Sequence, residues 1–431
     1  MLKNSLDRQI LGLALPAIVA NITTPLLSLV DVAIVGHLGS AVYVGAIAVG
    51  GSIFSMLYWL FGFLRFGTSG LTAQALGRGS ARQTSLLLQR SLLIALGFGL
   101  ILITAHYPLG HAALSFMDTD ADTAGKAWLY FSILIYGAPA SLATFALTGW
   151  FVGMQDTRTP MWISLLVNVV NITASLILVY AMDYDLAGVA YGTLLAQWTG
   201  FIVSAATCAI HYKVRPQPLS ELLHVSELKT FFKVNTDIFL RTVCLIAVTV
   251  WFTRTGAGLG PVMLAVNTLL MQFFILFSYI MDGFAFAGEA ICGKSYGASD
   301  SHSLNRQIHR LLQWGLALAA VFTAGYALGG QYLIALLTND SGVIETAEKY
   351  RLWAAGIPLA GFMAFTWDGV LTGMTRTRLM LGTMSAASAI FFILYLLLFP
   401  AIGNHGLWTA FLAYLFTRGC LQHIFYYRNN R

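Results

Sequence analysis

The chain is a succession of long apolar runs separated by short breaks that are charged or rich in glycine and proline. A hydrocarbon core ~30 Å thick asks about 20 apolar residues of a crossing helix. Twelve such runs can be drawn, at residues 10–36, 43–66, 84–108, 126–153, 160–182, 187–210, 230–254, 262–290, 308–330, 347–373, 380–402 and 406–427. A backbone in lipid must satisfy its own polar groups, so these runs predict helices. The alternating strands of about ten residues that build a membrane barrel do not occur.

A shift of 220 residues lays the second half over the first. Gly77 then falls on Gly297, Arg90 on Arg310, Gly149 on Gly369, and Gly153-Met154 on Gly373-Met374, with Thr157 and Arg158 on Thr377 and Arg378. With slips of one or two residues, Ala46 matches Ala265, Pro139 matches Pro358 and Gly188 matches Gly406. The expected architecture is therefore an all-α polytopic membrane protein with twelve transmembrane helices in two pseudo-symmetric six-helix bundles. The expected division is an N-terminal bundle at 1–210, a cytoplasmic linker at 211–230 holding Pro216 and Pro218, and a C-terminal bundle at 231–431. Twofold-repeated bundles are a usual build of secondary transporters, with the cargo site between the repeats.

Composition agrees. Only 10% of the 431 residues are charged and 58% are hydrophobic, whereas a soluble domain carries roughly 25% charged residues. The net charge of +6 marks no nucleic-acid surface, because the basic residues form no patch or stripe. They are instead distributed by side. Lys3, Arg8, Arg78, Arg82, Arg158, Lys213, Arg215, Lys229, Lys233, Lys294, Arg306, Arg310, Arg376, Arg378, Arg428 and Arg431 fall in one set of connections; Lys126, Arg254, Lys349 and Arg351 fall in the other. By the positive-inside rule both termini are cytoplasmic, and a bacterial inner membrane is the expected location. The apolar run at the start, beside Lys3 and Arg8, is too long for the ~7–15-residue core of a signal peptide and is expected to be the first span. Cys208, Cys244, Cys292 and Cys420 lie far apart and form no ligand spacing.

An intramembrane charge costs at least ~2.5 kcal/mol, which singles out Asp31, Asp282, Glu289 and Asp368. Asn21, Thr24, Ser28 and Asp31 step by three and four, so they share one face of the first helix. Ser164, Asn168, Asn171 and Ser175 do the same on the fifth, and Thr193 and Gln197 on the sixth. Asparagines and serines alone are equally well explained as hydrogen-bonding glue between helices. With Asp31 on the same surface the stripe reads as an ion site. A carboxylate taken out of water holds its proton more tightly, so such a group exchanges protons near neutral pH if its access alternates between sides. Pro16 and Pro25 each remove a backbone hydrogen bond from the first helix and are its candidate hinges. A sodium ion would ask for more oxygens and more negative charge.

The second repeat does not keep the stripe: Arg241, Cys244, Val248 and Trp251 replace Asn21, Thr24, Ser28 and Asp31. In its place stand Arg241, Asp282, Glu289 and Asp368, either a structural ion network around Arg241 or a site for a cationic substrate or a second coupling ion. Arg65 is assigned no role. Aromatic and methionine side chains such as Trp59, Trp150, Phe273 and Trp367 read as packing or lipid contact before they read as a drug pocket. Gly288–Ser295 has the spelling of a phosphate-binding loop, but it ends an apolar helix and lacks the preceding strand. The acceptor-like Asn21-Ile22-Thr23 and Asn171-Ile172-Thr173 both lie inside spans.

The stretches NITTPLLSLVDVAIVGHLGS (21–40), RFGTSGLTAQALG (65–77), DGFAFAGEAICGKSYGA (282–298), IALLT (334–338) and GNHGLW (403–408) resemble the multidrug and toxic compound extrusion family, in particular its DNA-damage-inducible protein F branch. The resemblance runs over nearly the whole chain. It implies an antiporter that exports small organic cations or amphipathic drugs while ions, in this branch commonly protons, move inward. It also implies that the first helix bends near a proline when its buried aspartate is protonated. Related sequences often carry a second acid on the fifth span, where this chain has Ile172 and Ser175. The expected function is thus a proton-coupled efflux antiporter, without catalysis, cofactor or metal, contacting membrane lipids and working as a monomer. The rival readings are a sodium-coupled exporter and a lipid-linked oligosaccharide flippase. The flippase would want several basic residues inside the spans.

Overall fold

The computed structural model describes residues 5–38, 40–117 and 119–428, without the side chains of Thr24, Leu26 and Ala41. Lys3, Arg431 and the Thr24 side chain, named above from the sequence, lie outside the described residues. Among the described residues the chain is helical and contains no strand.

Twelve long helices follow in order. They are α1 Ser5–Gly36, α2 Val42–Gly77, α3 Ala81–Thr104, α4 Ala121–Gly153, α5 Arg158–Ala181, α6 Asp185–Ile210, α7 Val225–Gly258, α8 Pro261–Gly297, α9 Ser301–Leu337, α10 Ser341–Gly373, α11 Thr377–Ile402 and α12 Asn404–Arg428. The first eleven are long and apolar enough to cross a membrane. The twelfth is long enough as well, and its Arg418 and Gln422 are buried inside the protein.

Two helices run further than their apolar stretches predict. After a tight turn at Phe61–Gly62, α2 continues past Arg65 to Gly77, and α8 continues unbroken to Gly297. These extensions carry several Gly with Ser or Thr between them, residues that weaken a helix by the rules of soluble proteins. Between membrane helices, small residues let backbones approach closely. A side-chain carbon on Gly149 of α4 would run into the Arg65 carbonyl oxygen of α2, and one on Gly369 of α10 into the Ala285 carbonyl oxygen of α8. Both members of each contact are 220 residues from their counterparts. The helix caps repeat at the same offset: Ser80 accepts the Gln83 amide at the start of α3, and Asp300 accepts the Ser303 amide at the start of α9.

The chain divides into two compact units, and the divisions fall inside helices. One unit takes the start of α1 as far as Ala14 together with the chain from Lys233 onward; the other runs from Leu15 to Phe232. In the latter, the far half of α2 and the length of α3 pack on α4, and α5 pairs with α6. Its core includes Phe54 stacked on Phe131. The other unit repeats the scheme, with α8 and α9 packed on α10 and α11 paired with α12, around Phe252, Trp408 and Phe411. The copies differ in detail. α4 is interrupted by a tight turn at Ile135–Gly137 just before Pro139, whereas α10 runs unbroken through Pro358. α5 ends in a wide π-type turn, Ile177–Ala181.

Candidate functional site

Asp31 sits on α1 in the unit that runs from Leu15 to Phe232, and it is buried. The periodicity of α5 and α6 brings the predicted partners to it. Thr193 of α6 lies 3.4 Å from one Asp31 carboxylate oxygen. The same hydroxyl is 3.1 Å from the Val189 carbonyl one turn back and accepts the Asn171 amide of α5 at 2.8 Å. A threonine has a single hydrogen to donate, so it serves either Asp31 or Val189 while Asn171 stays bound. The other Asp31 oxygen and the Asn171 carbonyl oxygen have no partner among the described residues. Tyr130 of α4, buried, borders both Asp31 and Thr193. The hydropathy pattern did not reveal it, since a tyrosine within an apolar run reads as packing.

The remaining members of the stripe part company with the carboxylate. Asn168 donates to the Thr23 carbonyl at 3.2 Å, inside the α1 turn that holds Pro25. Thr23 also meets Ser164 at 3.1 Å. Ser175 is fully buried and lies against Gly192 of α6. Ser28 is exposed, and Asn21 is half-buried. Gln197 presses on Gly137, at the break in α4. α1 stays helical through both Pro16 and Pro25.

The other unit gathers a second polar group. Arg241 of α7 donates to one oxygen of Asp368 on α10. Arg418 of α12 approaches the same oxygen at 3.4 Å, and Gln422 donates to the other at 2.8 Å. Arg418 also reaches the Tyr414 hydroxyl and lies over the Phe365 ring. Asp282 acts on the charge of Arg418 from α8. Glu289 is fully buried where α8 crosses α10, its backbone against Gly373. Asp368 is thus held by two guanidinium groups, of which the sequence reading anticipated Arg241. Tyr414, Arg418 and Gln422 are spaced by four on one face of α12, and that spacing is the signal that could have found the second. Trp150 and Trp367 are core residues, and Trp150 donates to the Thr84 carbonyl at 2.9 Å. Trp59 is exposed.

The MatE family model matches two segments of equal length, residues 16–177 and 237–398, one in each half of the chain. The DNA damage-inducible protein F of Escherichia coli (strain K12) is 35% identical over 418 residues, covering 96% of this chain and 91% of the relative. The multidrug resistance protein MdtK of Edwardsiella ictaluri is 26% identical, covering 94% and 92%. Among solved structures, a MATE protein in the bent conformation superposes with a TM-score of 0.85 at 18% identity over 98% of this chain and 95% of that one. The Vibrio cholerae MATE transporter VcmN in its bent form gives 0.87 at 16% identity over 98% and 97%.

Proposed function

The chain belongs to the MatE family, and from that premise we propose that it is a secondary active exporter of cationic or amphipathic compounds, driven by inward movement of protons through Asp31. The observation that carries this reading is the buried Asp31 carboxylate whose neighbour, Thr193, has one hydrogen and two acceptors to choose from. With Asp31 ionised, the hydroxyl serves the carboxylate. When Asp31 takes a proton the charge is gone, Thr193 turns to Val189, and the contact between α1 and α6 weakens. The fixed Asn171 donor keeps the hydroxyl oxygen in place throughout. α1 is built to respond, because Pro16 leaves the Gly12 carbonyl without its helical partner and Pro25 does the same to that of Asn21. Proton entry is coupled to cargo exit if the protein changes sides only with Asp31 protonated or with cargo bound in the proton's place, so that each inward proton step is answered by an outward cargo step.

The proposed setting is a bacterial inner membrane with both ends of the chain cytoplasmic. The flippase reading gains nothing from the second buried arginine. Arg241 and Arg418 are both turned onto Asp368, which leaves neither presented to a pyrophosphate. Efflux of a fluorescent cation from everted vesicles, driven by an imposed proton gradient, tests the proposal. Asp31→Asn should retain cation binding and abolish gradient-dependent movement. Full proton-driven efflux by that variant would sink it.

A further inference from the structure

Two arginines related by the internal repeat hold two acids related by the same repeat, and each pair joins opposite repeats. Asp7 on α1 is completely buried. Arg310 of α9 grips it with two bonds, Nε to one carboxylate oxygen at 2.5 Å and the terminal nitrogen to the other at 2.6 Å. Trp314 adds its indole N–H at 3.0 Å. Shifted by 220 residues, Arg310 becomes Arg90 and Asp7 becomes Glu227. Arg90 of α3, also buried, lies 3.6 Å from Glu227 at the start of α7. It donates as well to the Leu222 and Glu221 carbonyls just upstream, at 3.0 and 3.1 Å. The third helix of each repeat therefore holds the start of the first helix of the other. The division of the chain agrees: α1 up to Ala14 clusters with the second repeat, and the chain up to Phe232, the start of α7 included, clusters with the first.

The two grips are unequal. Asp7 is sequestered and its carboxylate satisfied by three N–H donors, whereas Glu227 is 60% exposed. Bidentate arginine–carboxylate pairs fix geometry as well as charge. On α1 the weak point comes immediately afterwards. Ala14 ends the part that belongs with the second repeat, Pro16 withholds its hydrogen bond from the Gly12 carbonyl, and Gly12 faces open space. α7 has no proline at the corresponding place.

We propose that Asp7, Arg310 and Trp314 form a permanent clasp that makes the first turns of α1 a fixed part of the second bundle, and that this ion pair stays closed while α1 bends near its proline as the family resemblance implies. Asp7 and Arg310 are then positioning residues: they hold one end of the rod that carries Asp31. The proposal rests on the transport reading for its purpose, but its geometry can be measured without transport.

Spin labels placed on the full chain at Arg8 and Asn305 span the clasp, and labels at Arg8 and Leu29 span the turn; all three positions are exposed. In lipid nanodiscs, the distance across the clasp should be the same at acidic and alkaline pH and with or without ethidium as the probe cation. The distance across the turn should shift. Arg310→Gln should broaden the clasp distribution and lower turnover about tenfold while leaving the affinity for ethidium unchanged, and Arg310→Lys should restore part of both. A clasp distance that changes with pH or ethidium would show that the pair opens, and a turn distance that stays constant would remove the joint; either overturns the proposal. So would an Arg310→Gln protein with wild-type distances and turnover. If the wild-type protein moves no cation under any gradient, the transport reading fails while the distance measurements still decide the clasp.

Discussion

Replacing Asp368 by Asn keeps the shape of the side chain and one acceptor for Gln422, and removes the charge that Arg241 and Arg418 share. The side chains of the three residues are 9%, 3% and 14% exposed for Arg241, Arg418 and Asp368, so water does little to screen the loss. At an effective dielectric constant of ~20, unit charges 3.4 Å apart attract by about 5 kcal/mol. Desolvation and the mutual repulsion of the two guanidinium groups oppose much of that attraction. What remains exposed by mutation is the cost of uncompensated buried charge, typically ~3–5 kcal/mol when one partner of a buried pair is removed. Asp368→Asn should lose about that much stability. Arg418→Gln should lose about 2 kcal/mol, in the range of one hydrogen bond to a charged group, because the closer Arg241–Asp368 pair survives. The diagnostic variant is the double one. The wild-type trio carries one net positive charge, Asp368→Asn raises it to two, and Asp368→Asn with Arg418→Gln returns it to one. The double variant should therefore melt above the Asp368→Asn single variant in detergent, as followed by tryptophan fluorescence. If the two losses simply add, charge balance is not what holds the cluster together. If Asp368→Asn melts like the wild type but no longer transports, the cluster is a cargo or coupling site and its structural reading is wrong.

Much of the fold could be read from the sequence because lipid leaves the chain few choices. Helices are imposed wherever about 20 apolar residues run together, and the repeat shows in its glycines because Gly149 and Gly369 stand at helix crossings where no side chain fits. The Asp31–Thr193–Asn171 group could be read for a related reason: polar residues in lipid must turn inward, and helical spacing says which of them share a face. Partner choice could not be read. Nothing in periodicity says that Asn168 serves Thr23 and not Asp31, that Ser175 faces a glycine, or that Arg418 shares Asp368 with Arg241. Each depends on the rotation of one helix against another, which the packing of small residues decides. The exchange of helix starts between repeats was hidden more deeply. Asp7 looks like an acid near a chain end, and its partner lies 303 residues away.

Two further expectations follow from the same packing. Gly149→Ala and Gly369→Ala force a carbon against a backbone carbonyl and should each cost ~1–3 kcal/mol, as overpacking does; Gly97→Ala, which faces open space, should leave the melting temperature unchanged or raise it. The third test concerns amides inside the second unit. Asn267 of α8 and Asn404 of α12 exchange two hydrogen bonds of 2.9 Å, and Trp408 donates to the Asn267 oxygen at 3.0 Å, all three residues being buried. Asn267→Leu conserves volume but strands both polar atoms of Asn404 and the indole N–H, and a single unsatisfied buried group already costs ~1–3 kcal/mol. Adding Asn404→Leu removes two of the three stranded atoms and leaves the indole alone. The double variant should thus recover roughly half of the stability lost by the single one, and a double variant less stable than Asn267→Leu would mean that shape, not hydrogen bonding, is what Asn404 contributes at the α8–α12 contact.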